Sequence, residues 1–169
     1  LVWISAFVIV IVGIIAYSNA FGIPFHRSSK ALIVNNEAMH GVLSVPNAVS
    51  SQSPRLLPML AFGLCWDLAP TNPIPFHILA IALHLACGVL IFLLCRRLFR
   101  GALPEPIAML AGLLFVLHPA TTQAVDDIVS IPILMGTAFT LLSLTLYFRA
   151  TVDSERAHWR PLVLSFAAF

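Results

Sequence analysis

Of the 169 residues, 60% are hydrophobic and only 9% are charged, with a net charge of +2 and a mean hydropathy of +0.98. A soluble domain of this size keeps too much surface in water to hide so much apolar area, so lipid must solvate the chain. The small net charge, without basic runs interleaved with aromatics, argues against nucleic acid.

The chain opens with an uncharged apolar run over residues 1–20, "LVWISAFVIVIVGIIAYSNA", long enough to cross a bilayer as TM1. No small-x-small cleavage site clearly follows it, so a retained helix is expected rather than a signal peptide. The chain starts without Met and ends inside the apolar run "PLVLSFAAF". It therefore reads as a fragment of a longer polypeptide, with more membrane helix beyond Phe169.

Residues 21–75 form a loop far longer than most helix connections, which implies structure or function of its own. "KALIVNNEAMHGVL" is long enough for half a helix before Gly41, and "SVPNAVSSQS" is turn-forming. Over about 54–68, Leu56, Leu57, Leu60, Ala61, Leu64 and Leu68 recur at helical spacing. That helix is half a span long, so it is expected to lie in the interface, with Trp66 at headgroup level and Arg55 at its start.

Three more spans follow: TM2 at 76–95, TM3 at 106–125 and TM4 at 131–148, with TM5 starting at 161–169. TM3 is the weakest, because its dense apolar part stops at His118-Pro119. Pro106 and Pro132 fall in first turns, where a missing N–H does little harm. The connection 96–105 holds Arg96, Arg97 and Arg100, and the connection 149–160 holds Arg149, Arg156 and Arg160. The connection 118–130 holds Asp126 and Asp127 and no Lys or Arg. This alternation puts the Arg-rich connections in the cytoplasm and the long first loop outside it. The expected fold is thus an all-α polytopic membrane protein, one membrane domain with four complete transmembrane helices plus the start of a fifth.

Few residues suggest chemistry. Cys65, Cys87 and Cys95 form no CxxC pair, and buried free Cys is ordinarily a small hydrophobe. His77 and His84 share a helix face about 10 Å apart along the axis. His84 has the residue type of a haem or pigment ligand, which would make this a cofactor-binding subunit. The plainer reading has His84 bonded to a neighbouring helix and His77 at the interface. Asp126-Asp127 suits a divalent cation or a general base, or simply caps the helix that follows. No nucleophile elbow, phosphate-binding Gly loop, metal-ligand cluster or internal repeat appears.

"SPRLLPMLAFGLCWDLAPTNPIPFHILAIALHLACGVLIFLLCRRLF" and, further on, "LLFVLHPATTQAV" resemble a known family. They are similar to the membrane part of GT-C type glycosyltransferases, those with a tetratricopeptide-repeat tail that mannosylate protein Ser/Thr. The pattern comprises Arg55-Leu56, Asn72-Pro73, Phe76-His77, His84, the Arg96-Arg97-Leu98-Phe99 exit and the leucine-rich helix ending in His118-Pro119. It covers about residues 14 to 150.

The resemblance implies a bundle of membrane helices, a polyprenyl-phosphate sugar donor, and an acidic residue in the first outer loop that activates the acceptor hydroxyl. That loop usually reads Pro-Phe-x-Phe-Asp-Asp; here it reads Pro24-Phe25-His26-Arg27-Ser28-Ser29. The Glu of the family's Thr-Glu-Ala-Val is Gln123, and its following Gly-Arg-Ala-Asp reads Ser130-Ile131-Pro132-Ile133. A serine hydroxyl is too weakly basic to serve as a general base. The remaining acidic candidates are Glu37, Asp126 and Asp127.

The sequence therefore reads as a non-catalytic, GT-C-like structural or accessory subunit, a pseudoenzyme packed against other membrane protein subunits and binding no cofactor. The alternatives are an active glycosyltransferase using a polyprenyl-phosphate sugar, or a pigment-binding subunit ligated through His84.

Overall fold

A computed structural model of the protein describes residues 2–44, 55–99 and 104–152. These residues are helical or loop, with no strand among them. The helices are α1 (Val2–Ala16), α2 (Leu56–Leu68), α3 (Ile74–Leu98), α4 (Glu105–Leu117), α5 (Pro119–Asp126) and α6 (Ile131–Val152). The expected start of a fifth span at 161–169, and the "VPNAVSSQS" stretch, lie outside the described residues.

Three segments are long and apolar enough to cross a membrane: Val2–Gly22, Ile74–Leu98 and Ile128–Ala150. The span expected over 106–125 is not one straight helix. It is broken at His118 into α4 and α5, bent by 56°. Pro119 has no N–H to continue the ladder, and His118 is extended (φ −67°, ψ 128°) with its Nδ1 accepting from Ala120 N at 3.1 Å. The same side chain thus ends one helix and caps the next.

That break takes carbonyls in the last turn of α4 away from their helical partners. Phe115 O would ordinarily bond residue 119, now a proline; it lies 3.1 Å from Thr121 Oγ1, whose hydroxyl it shares with His118 O at 2.7 Å. Val116 O would bond Ala120 N, which is diverted to His118. It accepts instead from Tyr17 Oη at 2.9 Å and lies 3.2 Å from His84 Nε2. In lipid each unpaired carbonyl would be expensive, so these three side chains make the break tolerable.

α3 is the central element, packed against α6 on one side and against α1 and α4 on the other. Ser5 Oγ meets Glu105 Oε1 at 2.9 Å while Tyr17 reaches Val116, so α1 and α4 run parallel. Small residues let the backbones close in. A Cβ on Gly112 would sit 2.7 Å from Gly88 O, and one on Gly88 would sit 2.3 Å from Val116 Cγ2. Lipid supplies no hydrophobic drive between helices, so such close packing and interhelical hydrogen bonds carry the association.

Two apolar clusters result. One gathers Ile9, Tyr17, Ile81, Leu85, Phe92 and Val116 between α1, α3 and α4. The other gathers Phe25, Ile33, Met39, Met59, Phe62 and Phe76 with Ile128, Ile131 and Leu134, where the loop and α2 meet α3 and α6. Outward-facing Trp3, which is 87% exposed, with Phe7, Ile15, Leu114 and Ile133, forms a surface that only lipid or another apolar body can solvate. Thr137, Thr140 and Thr145 bond back to the carbonyls four residues earlier, so α6 carries no unsatisfied hydroxyl at these positions.

α2 is 13 residues, about 20 Å, and too short to span. Leu56, Leu57, Leu64 and Leu68 face outward, while Met59, Phe62, Gly63 and Cys65 pack inward. Burial pushes the Cys65 thiol from 9.0 up to about 11. Thiolate is the reactive form, so maleimide at pH 7.5 should label Cys65 at least roughly tenfold more slowly than an exposed cysteine, as mass spectrometry would read. Because the folded state raises this pKa, the stability from burying the neutral thiol is complete below pH 9.0 and is lost as pH climbs toward about 11.

Candidate functional site at the loop end of the bundle

The ends of α1 and α5 and the starts of α3 and α6 meet the first loop at one end of the bundle. The loop begins in a 3-10 turn, Ser18–Gly22, then makes a single helical turn, Arg27–Ser29, that runs into a π-helical turn, Lys30–Val34. The half-helix expected before Gly41 is therefore a chain of short turns, ending in Glu37–Met39 and Val42–Ser44. Asn35, Asn36 and Gly41 break any longer run.

The loop is held at named points. His40 Nε2 lies 3.1 and 3.0 Å from the carbonyls of Ile33 and Val34, ending the π-turn. The His40 ring stacks on Trp66 at 3.8 Å with the planes 4° apart. Trp66 is thus a partly buried platform for the loop. Gly41 (φ +92°) packs on Gly63 of α2, and Val42 N donates to Asp67 Oδ2 at 3.0 Å.

His77 is 0% exposed, with Nε2 3.0 Å from Ile23 O, because the chain leaving α1 folds back over the start of α3. His84, also 0% exposed, bonds the neighbouring α4 as its plainer reading expects. Tyr17 lies edge-on to it at 5.2 Å and Phe115 tilts against it at 5.0 Å. His84 Nε2 faces a carbonyl while its Nδ1 has no partner, and among the described residues no group of three His, Cys, Asp or Glu side chains could hold a metal ion.

The acidic candidates separate. Glu37 is exposed in its turn. Asp126 ends α5, and Asp127 accepts from Val129 N at 3.2 Å, capping the turn Ile128–Ser130 that leads into α6. The turn Arg27–Ser29 packs against that Ile128–Ser130 turn. The two loop segments where the resemblance places polar machinery are therefore neighbours, although about a hundred residues separate them. Ser29 is 1% exposed and its Oγ donates to His26 O at 3.0 Å, so its hydroxyl is committed.

Beside this cluster, Arg55 overhangs an apolar groove of about 540 Å³ lined by Leu57, Pro58, Pro132, Gly136 and Phe139. A smaller cavity of about 160 Å³ shares Arg55, Pro58 and Pro132 and continues inward to Leu32, Met39 and Phe62. Sequence reasoning singled out Arg55 but not Tyr17, His40 or Asp67. A tyrosine ending an apolar run or an aspartate ending a short helix looks ordinary until its distant partner is visible.

Fold and site define an all-helical membrane protein with a structured loop end. The chain is 32% identical over 116 residues to protein O-mannosyl-transferase TMTC3 of Mus musculus, covering 69% of this chain and 12% of that protein. It is 30% identical over 151 residues to protein O-mannosyl-transferase tmtc2 of Xenopus laevis, covering 81% of this chain and 18% of the relative. It is 33% identical over 112 residues to protein O-mannosyl-transferase Tmtc1 of Drosophila melanogaster, covering 66% and 12%. The chain thus resembles GT-C-like membrane glycosyltransferases and spans less than a fifth of the length of these curated relatives. No family model matches it, and no solved structure matches it.

Proposed function

We propose that this glycosyltransferase-like membrane protein does not transfer sugar itself and serves as a structural or accessory subunit of a larger membrane assembly. In this reading the chain crosses the bilayer four times, through α1, α3, the broken α4–α5 pair and α6, with a fifth crossing starting near Pro161. The long loop and Asp126-Asp127 lie outside the cytoplasm, and the Arg-rich connections face it. The outward apolar faces are then available to partner subunits.

One observation carries the reading. Where the resemblance expects a carboxylate pair, Ser29 is buried with its hydroxyl bonded to His26 O. Such a group can neither accept a proton at neutral pH nor reach an acceptor. Asp127 is spent on capping, and Glu37 stands apart in an exposed turn.

A second reading has its own support. The groove beneath Arg55 joins an apolar trough to one cation, which suits a polyprenyl chain with its phosphate. With such a donor there, partly exposed Asp126 or Asp127 would have to act as the base, and the chain would be an active transferase.

The test is to purify the full chain from its native membrane in mild detergent, measure its native mass, and assay transfer from polyprenyl-phosphate mannose to Ser/Thr peptides. Stoichiometric partners with transfer at background are expected. A lone protein whose transfer disappears in Asp127→Asn or Glu37→Gln would overturn the accessory reading.

A further inference from the structure

His77 and His84 lie seven residues apart on one face of α3, and each meets a main-chain carbonyl of a different element. A carbonyl can only accept, so both rings carry their proton on Nε2. Ile23 O, held by His77, belongs to the chain about to enter the turn Arg27–Ser29. Val116 O, held by His84, belongs to the last turn of α4, just before the bend that sends α5 toward Asp127. Tyr17 closes the frame: its hydroxyl donates to the same Val116 O, and it directly precedes the 3-10 turn that delivers the chain to Ile23. The two segments that meet at the loop end are thus both fastened to one rigid helix, at heights fixed by two turns of that helix.

We infer that His77, His84 and Tyr17 are positioning residues: together they set the register between the Ser28-Ser29 turn and the Asp127–Ser130 turn. This holds whether or not sugar is transferred there. Carbonyl satisfaction alone would need any donor at each site; alignment of the two turns needs both imidazoles on one helix, with Tyr17 tying the chain that follows α1 to the same carbonyl as His84.

Disulfide trapping in the full chain, in its own membrane, tests the inference. Cysteine pairs at Ser28 with Val129 and Ser28 with Ser130 report the loop end, and a pair at Ser5 with Glu105 reports the opposite end, where those side chains meet. His77→Leu and His84→Leu should each lower the loop-end yield about three- to tenfold and leave the far-end yield unchanged. His77→Gln and His84→Gln, which keep a donor at similar reach, should restore it. An unchanged loop-end yield in both leucine variants would overturn the inference. So would glutamine failing as badly as leucine, since ring packing would then be the cause. Should the leucine variants lose the far-end cross-link as well, Tyr17→Phe carries the test, because it removes one hydroxyl. Its loop-end yield must fall with the far end intact, and no change there sinks the inference.

Discussion

Gly112→Leu should prevent the bundle from assembling, and Gly112→Ala should already weaken it by about 1–3 kcal/mol. The cause is local and covalent in scale. A Cβ at residue 112 would lie 2.7 Å from the carbonyl oxygen of Gly88 and 2.9 Å from Ile9 Cδ1. The first of these is backbone, so no rotamer change relieves it; α3 and α4 must move apart. Separation would also stretch the bond from His84 to Val116 O. Gly136→Ala is the control, since nothing lies within 4 Å of the added atom and helix propensity favours alanine by up to about 1 kcal/mol. The midpoint temperature of aggregation of the detergent-solubilised protein, read by size-exclusion chromatography, should fall in the order Gly136→Ala, wild type, Gly112→Ala. Equal midpoints for the two alanine variants would mean that the α3–α4 contact is looser than described.

The second large effect concerns the loop. Gly41→Val should detach residues 37–44 from α2 while the spans stay assembled. Gly41 has φ +92°, a conformation that a β-branched residue adopts only at about 1–2 kcal/mol or more. Its Cβ would also sit 2.6 Å from Asp67 Oδ1, the carboxylate that receives Val42 N. Both effects push the same way, and the stacking of His40 on Trp66 should go with them. In a background with Trp3 and Trp159 replaced by Phe, Trp66 fluorescence should shift, and protease should cut the loop faster. Unchanged emission together with unchanged cleavage would show that the Gly41 contact does not hold the loop.

Much of the scaffold is legible in the sequence because lipid imposes a simple rule. Runs of about 20 apolar residues announce helices, and three of the four expected spans appear as segments long and apolar enough to cross a membrane. The fourth was already weak on the page, where apolarity stops at His118-Pro119, and there the helix bends. What sequence could not supply was the far end of each polar contact. His77 sits near the start of a span, and only the fold reveals that the returning chain from α1 covers it. Trp66 ends an apolar stripe, and only the fold reveals that His40 stacks on its face. Ser28-Ser29 and Asp126-Asp127 look unrelated at their separation in sequence; a resemblance hinted at a shared role, and only the tertiary fold brings their turns together. In each case the periodic signal reports which solvent a residue type prefers, whereas the contact depends on which neighbour arrives.

The parallel pairing of α1 with α4 also bears on how the protein is made. The hydroxyl of Tyr17 has its acceptor at Val116, 99 residues later in the chain. At roughly 5–20 residues per second of synthesis, that acceptor emerges about 5–20 s after Tyr17 does. During this interval the first helix holds a phenol with no carbonyl to satisfy, and drifting freely into the bilayer would bury it unpaired. The insertion machinery should therefore retain the helix that carries Tyr17 until α4 leaves the ribosome, so that the order of release follows from one hydrogen bond.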